Sequence, residues 1–144
     1  MSLESDLQTY MLAETDITNL VGLTGVYWGR APQDREFPYI TFSLISEDRN
    51  DGADMADQCG YVEAIYQFDC VHRGSGDVLA VGEAVRTTLA ELAKVTMGST
   101  YIQAIDVVNR IQRFDVPEFG QEETVDIVSI DLRITFNESV PVHA

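Results

Sequence analysis

Hydrophobic residues recur at helical spacing in two segments of the chain. Leu3, Leu7 and Met11 fall on one face of a helix near the N-terminus. A longer set of apolar residues at intervals of three or four predicts a second main helix over Val78–Lys94, with charged residues on its other side. Between them, Thr15–Val21 is typical of a short helical turn that the next residue, a glycine, ends.

Four longer segments are typical of strands: three alternate apolar and polar residues, and the third in chain order is rich in isoleucine and valine. They are Tyr39–Ile45, Tyr61–His72, Tyr101–Phe114 and Asp126–Phe136. Successive members should pair as two hairpins, and the apolar residues 26–28 predict a further short strand. This order of elements predicts a two-layer α+β domain, a mostly antiparallel β-sheet with two main helices packed on one face. The domain is expected to span residues 1–136, and residues 137–144, which carry no pattern, predict a flexible C-terminal tail.

The apolar members of these patterns predict the hydrophobic core. A chain of 144 residues is long enough for a single domain with a core of its own. The residues expected to be buried are Ile40, Phe42, Leu44, Val62, Tyr66, Phe68, Val85, Leu89, Ile130, Leu132 and Ile134.

Charge narrows the range of partners. Nine basic residues stand against 24 acidic ones, so the net charge is −15. Such a chain repels phosphates and anionic membranes, which argues against DNA binding by phosphate neutralisation. The polar, acidic N-terminus predicts no signal peptide, and no apolar run approaches the roughly 20 residues of a membrane span. We therefore expect a protein of the reducing cytoplasm, with both cysteines as thiols.

An acidic segment separates the first two long strands. Residues from Glu47 to Gly60 show no periodicity and predict a long mobile loop. Asp51, Asp54 and Asp57 recur at every third position, whereas calcium loops of the EF-hand type place acids at alternate positions. The sequence leaves open a solvated loop and a weak cation site. The three aspartates are also candidates for contact with a neighbouring subunit.

Residues suited to catalysis are few. A cysteine–histidine nucleophile would need Cys59 or Cys70 together with His72, and these residues are more typical of packing or rim positions. They are too few for a structural zinc site. Gly74-Ser75-Gly76 lacks the glycine and lysine that would follow in a phosphate-binding loop. The sequence predicts a protein that is not an enzyme and that needs no cofactor or metal.

Four further residues are candidates for a protein interface. Trp28 and Arg30 lie in a segment broken by glycine and proline, and exposed aromatics beside arginine are typical of interface hot spots. Trp28 could instead cover an edge of the core. Arg49 and Arg73 lie at predicted loop or strand ends, where each is either a contact with an acidic neighbour or a solvated arginine.

The layout resembles the small tail-completion, or head-to-tail joining, proteins of long-tailed bacteriophages and prophages. The resemblance extends from about residue 3 to residue 136. The sequence departs from the family pattern in two places. Its acidic loop is long, and after the second long strand only His72 and Arg73 are available for the family's usual basic or aromatic residue. The resemblance rests on the order and spacing of Leu20-Val21-Gly22, Gly25-Val26-Tyr27, Ala31-Pro32, Phe37-Pro38-Tyr39-Ile40, Tyr66-Gln67-Phe68-Asp69-Cys70, Ala84-Val85-Arg86 and Asp131-Leu132-Arg133-Ile134-Thr135-Phe136.

This resemblance implies a structural role as a tail terminator. Such a subunit is expected to form a homo-hexameric ring that binds the last ring of tail-tube protein and offers a docking face to the head connector protein. DNA would pass through the channel without specific binding. The acidic charge is explained either by a solvated, soluble surface or by a channel wall that repels DNA. The expected location is the head-proximal end of the tail in the virion, after assembly in the bacterial host cytoplasm. Two alternatives stay open: a neck or head-completion adaptor of the same virion, and a small acidic enzyme or cation-binding domain.

Overall fold

The computed structural model describes residues 3–32, 37–50, 59–73, 75–97, 100–115 and 125–139. Within these residues the chain has an α+β fold in which strand outweighs helix. The elements are α1 (Leu3–Ala13), α2 (Thr15–Val21), β1 (Val26–Trp28), β2 (Tyr39–Asn50), β3 (Cys59–His72), α3 (Ser75–Ala90), β4 (Val95–Met97), β5 (Thr100–Asp115) and β6 (Val125–Ser139). All of these elements except β4 are predicted by the periodicity of the sequence.

The first two helices confirm the helical spacing. Leu3, Leu7 and Met11 are all buried on one side of α1. Helix α2 ends where Gly22 adopts a φ of 81° and donates its backbone N–H to the carbonyl of Thr18 at 2.8 Å. Because glycine alone takes a positive φ without a steric cost, it is well suited to this helix end.

Helix α3 is shorter than predicted, and the prediction that it reaches Lys94 is wrong. The helix ends at Ala90, although Leu92 in the following turn remains buried. Lys94 has a φ of 66°, and its N–H donates to the carbonyl of Ile102 at 2.7 Å. The chain must turn here so that β4 can pair with β5, and this pairing outweighs the local helical spacing.

The six strands form one sheet in the order β1-β2-β3-β6-β5-β4. Strand β1 runs parallel to β2, and all other neighbours are antiparallel. The two predicted hairpins, β2–β3 and β5–β6, are confirmed, and β3 joins them by pairing with β6. The outermost strands are short: β1 pairs only with Ile40–Phe42 of β2, and β4 only with Thr100–Ile102 of β5.

Alternation along the strands gives the sheet two different faces. Phe42, Phe68 and Ile130 lie side by side on three adjacent strands and join residues of all three helices in one large hydrophobic cluster. We call this side the covered face. Helix α3 approaches it so closely that a Cβ on Gly82 would lie 3.1 Å from a methyl carbon of Val128. The other side, which carries Tyr39, Val71 and Ile127, is the open face, and no helix of the described chain contributes to its smaller cluster.

Ten of the eleven residues predicted for the core are buried, and Leu44 is the exception. Its side chain is 41% exposed. Leu44 pairs with Tyr66 on the covered face, but it lies beyond the part of β2 that β1 protects and directly precedes a β-bulge. The alternating pattern predicts which face a residue occupies, and it cannot predict that the outer side of β2 has no neighbouring strand at that point in the described chain.

The predicted acidic loop is shorter than its composition suggests. Residues assigned to it continue the β2–β3 hairpin, with Glu47 opposite Ala64 and Asn50 opposite Tyr61, so the loop limits of 47–60 are wrong. Residues 51–58, at the centre of that segment, lie outside the described residues. Strand β6 likewise continues to Ser139, where it pairs with Cys59, and residues 140–144 lie outside the described part. Backbone pairing does not require apolar side chains, so strands can extend beyond the alternating pattern.

Candidate interaction surface

A small second cluster marks one end of the open face. Tyr39, Val71 and Ile127 are neighbours across β2, β3 and β6, and each is buried. Partly buried side chains from the preceding loop and β1 pack around them, including Tyr27 and Phe37. Most residues on the open face are polar. The cluster forms because β2, β3 and β6 each place an apolar residue on this face at paired positions.

Aromatic rings at this cluster pack against one another and against an arginine. The rings of Tyr27 and Tyr39 meet edge to face, with centroids 6.3 Å apart, and those of Phe37 and Tyr39 are 5.5 Å apart. The guanidinium of Arg73 lies 4.6 Å from the centre of the Phe37 ring. A cation at this distance is attracted to the electron-rich face of the ring, and the contact is worth about 0.5–1 kcal/mol at an exposed site.

A shallow depression of about 350 Å³ adjoins these rings. Its lining residues are Arg30, Ala31, Tyr39, Thr41, Asp69, Val71 and Ile127. Arg30 therefore reaches the same region as Arg73, and we refer to Tyr27, Arg30, Phe37, Tyr39 and Arg73 together as the arginine–aromatic surface. Two arginines among aromatic rings beside a concave site are typical of the centre of a protein interface.

A hydrogen-bonded polar row continues from the depression across the sheet. The Ser129 hydroxyl donates to the Asp69 carboxylate at 2.6 Å and accepts a hydrogen bond from the Arg113 guanidinium at 2.9 Å. Ser129 is itself buried, so the row links three strands through a side chain that is largely shielded from water. It fixes the direction of the Asp69 carboxylate at the rim of the depression.

The structure brings together only some of the predicted interface residues. Arg30 lines the depression beside Tyr39, and Arg73 lies against the Phe37 ring, so both belong to the arginine–aromatic surface. Trp28 is 53% exposed, but it follows Tyr27 in β1, so alternation directs its side chain to the other side of the strand. The backbone of Arg49 pairs with Val62 at the opposite end of β2 from Tyr39, and its side chain lies outside the described residues. Asp51, Asp54 and Asp57 also lie outside them.

Sequence reasoning missed the contributions of Phe37, Tyr39, Asp69 and Ser129 to this surface. The alternation of β2 contained part of the signal, since Ile40 and Phe42 face the core and Tyr39 and Thr41 must therefore face the other way. The registers in which β2 pairs with β3 and β3 pairs with β6 were not available from the sequence. Without the strand register, Tyr39, Val71 and Ile127, which lie 32 to 88 positions apart in the sequence, could not be recognised as one cluster.

The geometry around the cysteine and histidine candidates does not favour nucleophilic chemistry. Cys70 is fully buried on the covered face, and this burial raises the pKa of its thiol far above the ordinary value. A thiol in such a place carries little of the reactive thiolate at neutral pH. The Nε2 atom of His72 lies 3.7 Å from the Asp77 carboxylate.

The described residues contain neither a group of side chains suited to a metal ion nor a helix suited to a membrane. In that part of the chain, no three His, Cys, Asp or Glu side chains are grouped so that they could hold a metal ion. None of the helices described there is long and apolar enough to cross a membrane.

Comparisons with known proteins identify the family. The family model described as "Tail completion protein gp17" matches residues 5–118, which is most of the chain. A chain from the solved structure titled "Virion of native gene transfer agent (GTA) particle" shares the fold, with a TM-score of 0.70 at 17% sequence identity over 95% of this chain and 96% of that one. No curated protein matches the sequence. The predicted resemblance is confirmed, and the chain belongs to the tail completion protein family of structural virion proteins.

Proposed function

We propose that this protein is the tail-terminator subunit of a long-tailed particle. It forms a ring at the head-proximal end of the tail, caps the tail tube and gives the head connector a docking face. The observation that carries the proposal is the family match over residues 5–118. The virion chain of the same fold is consistent with a small subunit of this kind, since it matches over nearly its full length.

The arginine–aromatic surface supplies the contact with a neighbouring virion protein. Only nine residues of the chain are basic, and two of them belong to this surface: Arg30 lines the depression with Tyr39, and Arg73 lies over the Phe37 ring. An acidic protein cannot dock another acidic protein efficiently through its average surface, because like charges repel. A local basic and aromatic site gives the partner a place where attraction and apolar burial coincide.

The excess of acidic residues is suited to the wall of a channel through which DNA passes. With a net charge of −15 per copy, a ring around a channel presents a negative potential to the phosphates. DNA then meets repulsion on all sides and is not held by phosphate contacts. In this proposal DNA passes through the ring and is not a ligand of the protein.

Tails assembled in the absence of the protein test the proposal. We expect such tails to have irregular lengths and to fail to join heads, and purified protein added back should restore joining, as counted by electron microscopy. Gold-labelled antibody should mark one end of isolated tails. Label on isolated heads would instead indicate a neck adaptor, and normal joining without the protein would refute the proposal.

Charge reversal within the arginine–aromatic surface tests the docking contact in the same add-back experiment. We expect the double variant Arg30→Glu, Arg73→Glu to restore joining at least tenfold less well than the unmodified protein. The control is Arg86→Glu, another exposed arginine, which lies on α3 at the covered side of the sheet and bonds Glu83 of the same helix. Equal activity of the double variant and the control would place the docking contact elsewhere and leave the terminator role intact.

A further inference from the structure

Each lateral edge of the sheet includes a long strand segment that pairs with no outer strand in the described part of the chain. On one side, β1 pairs no further along β2 than Phe42, so residues 43–50 have a free edge. On the other side, β4 pairs no further along β5 than Ile102, so residues 103–115 have a free edge. A free edge presents a row of N–H and C=O groups that can pair with another strand.

Apolar exposure is concentrated along these two sides. Of the eleven large hydrophobic side chains exposed in the described chain, eight belong to β1, β2, β4 or β5, and none belongs to the inner strands β3 and β6. The free segment of β2 carries Leu44 and Ile45, which are 41% and 53% exposed. The free segment of β5 carries Val107, Val108 and Ile111, which are 45–49% exposed. Natural proteins usually protect long edges with charge or cover, so two apolar edges indicate that something covers them.

Both free edges carry charges of both signs. In β2, Glu47, Asp48 and Arg49 follow shortly after the exposed apolar pair. The free segment of β5 carries Arg110 and Arg113 together with Asp106 and Asp115. Glu47 and Arg110 both point to the covered face, since they pair with Ala64 and Ile130, whereas Asp48 and Arg113 both point to the open face. On each face an acid of the β2 edge can therefore approach an arginine of the β5 edge, where Arg110 also bonds Glu83 and Arg113 bonds Ser129 within the subunit.

The strand directions also fit. Three antiparallel steps separate β2 from β5, so the two strands run in opposite directions within one sheet. A second copy placed beside β5 in the same orientation therefore presents its own β2 antiparallel to β5. The sheet would then continue from one copy to the next with its alternation unbroken.

We propose that the free edge of β5 in one copy pairs with the free edge of β2 in the next copy, so that the sheets of neighbouring subunits join. The contact is heterologous, because it uses two different edges. Repeating it generates a ring when the rotation between copies closes. The inference rests on the proposed function for the assembly in which it operates, and it identifies the surfaces that build that assembly.

Cysteine cross-linking between copies tests this contact. All proteins carry Cys59→Ser, while the buried Cys70 is left in place. One population carries Ile45→Cys on β2, and a second carries Val108→Cys or Ile111→Cys on β5. The populations are mixed under assembly conditions and treated with a short bismaleimide. The control pairs the β2 variant with Thr87→Cys, an exposed position on α3.

We expect a covalent dimer in the mixtures of β2 and β5 variants, and at least a tenfold lower yield when either population is treated alone. Combining both cysteines in one chain should give a ladder of products that ends at the size of the ring. Equal cross-linking within a single population would mean that like edges pair, which overturns the proposal. The absence of β2–β5 products in rings that still join heads to tails would also overturn it, while the proposed function would stand.

Discussion

At the scale of single residues, burial separates side chains that the sequence presents as equivalent. Leu79 and Leu89 are leucines of the same helix, α3, but Leu89 is fully buried in the large cluster and Leu79 is 37% exposed. Leu44 and Phe42 differ in the same way on β2, since only Phe42 lies within the part that β1 protects. The consequence of a substitution therefore depends on the neighbours that the fold supplies.

Leu89→Ala should lower the free energy of unfolding by about 2–5 kcal/mol, because it leaves a cavity in a close-packed region. The matched variant Leu79→Ala should lower it by less than about 1 kcal/mol. Urea unfolding followed by circular dichroism, at a protein concentration low enough to avoid assembly, measures both values. Similar losses for the two variants would contradict the burial of Leu89.

At the scale of elements, a charged cluster ties α3 to the sheet. The Glu83 carboxylate accepts hydrogen bonds from Arg86 on the same helix and from Arg110 on β5, each at 2.9 Å. These bonds, with Arg86 contributing most, lower the pKa of Glu83 below its ordinary value of 4.5. The link is exposed, so its effect on stability is small and depends on pH and salt.

The lowered pKa of Glu83 sets the direction of the pH dependence. Its contribution to stability is present in full above the ordinary value of 4.5 and is lost as the pH falls through the lower pKa of the folded state. Glu83→Gln should therefore be less stable than the unmodified protein near neutral pH, and the two should converge at strongly acidic pH. Thermal unfolding of both proteins between pH 7 and pH 3 measures the difference. A difference that stays constant with pH would show that Glu83 contributes by packing and not by charge.

At the scale of the whole molecule, the net charge opposes the proposed ring, whereas the proposed pairing of sheet edges favours it. Every copy added to a ring brings a net charge of −15. Repulsion between whole subunits acts over tens of ångströms at low salt. Moderate salt already screens it, because the Debye length falls from about 30 Å at 0.01 M salt to about 8 Å at 0.15 M. Ion pairs and hydrogen bonds in direct contact across an edge are screened much less.

Assembly of the purified protein should consequently increase with salt. We expect subunits at low ionic strength and rings once added salt screens the net charge. Sedimentation velocity at increasing sodium chloride, and at matched ionic strength with a magnesium salt, measures the distribution. Rings that form at low salt and dissociate as salt rises would show that contacts between opposite charges dominate, against this expectation.

Much of the fold could be predicted from the sequence, whereas the interaction surface could be predicted only in part. The spacing of Leu3, Leu7 and Met11 is a local property, and so is the alternation of β2, because each depends on residues a few positions apart. The arginine–aromatic surface depends on the strand register, which places Tyr39, Val71 and Ile127 side by side on three strands. Arg30 and Arg73 were recognised as interface candidates by their chemistry, but their convergence was not.

The distinction between these two kinds of information has a physical basis. Local periodicity in this chain specifies helix, strand and the buried side of each element, since those follow from the repeat of the backbone itself. The order of the strands in the sheet, their register and the residues at which their pairing ends follow from contacts between distant segments. Those contacts end α3 at Ala90, extend the β2–β3 hairpin into the acidic segment, and leave the edges of β2 and β5 without a partner in the described chain. The protein's family could thus be inferred from the linear order of its elements, but the surfaces proposed for contact with other proteins required the folded arrangement.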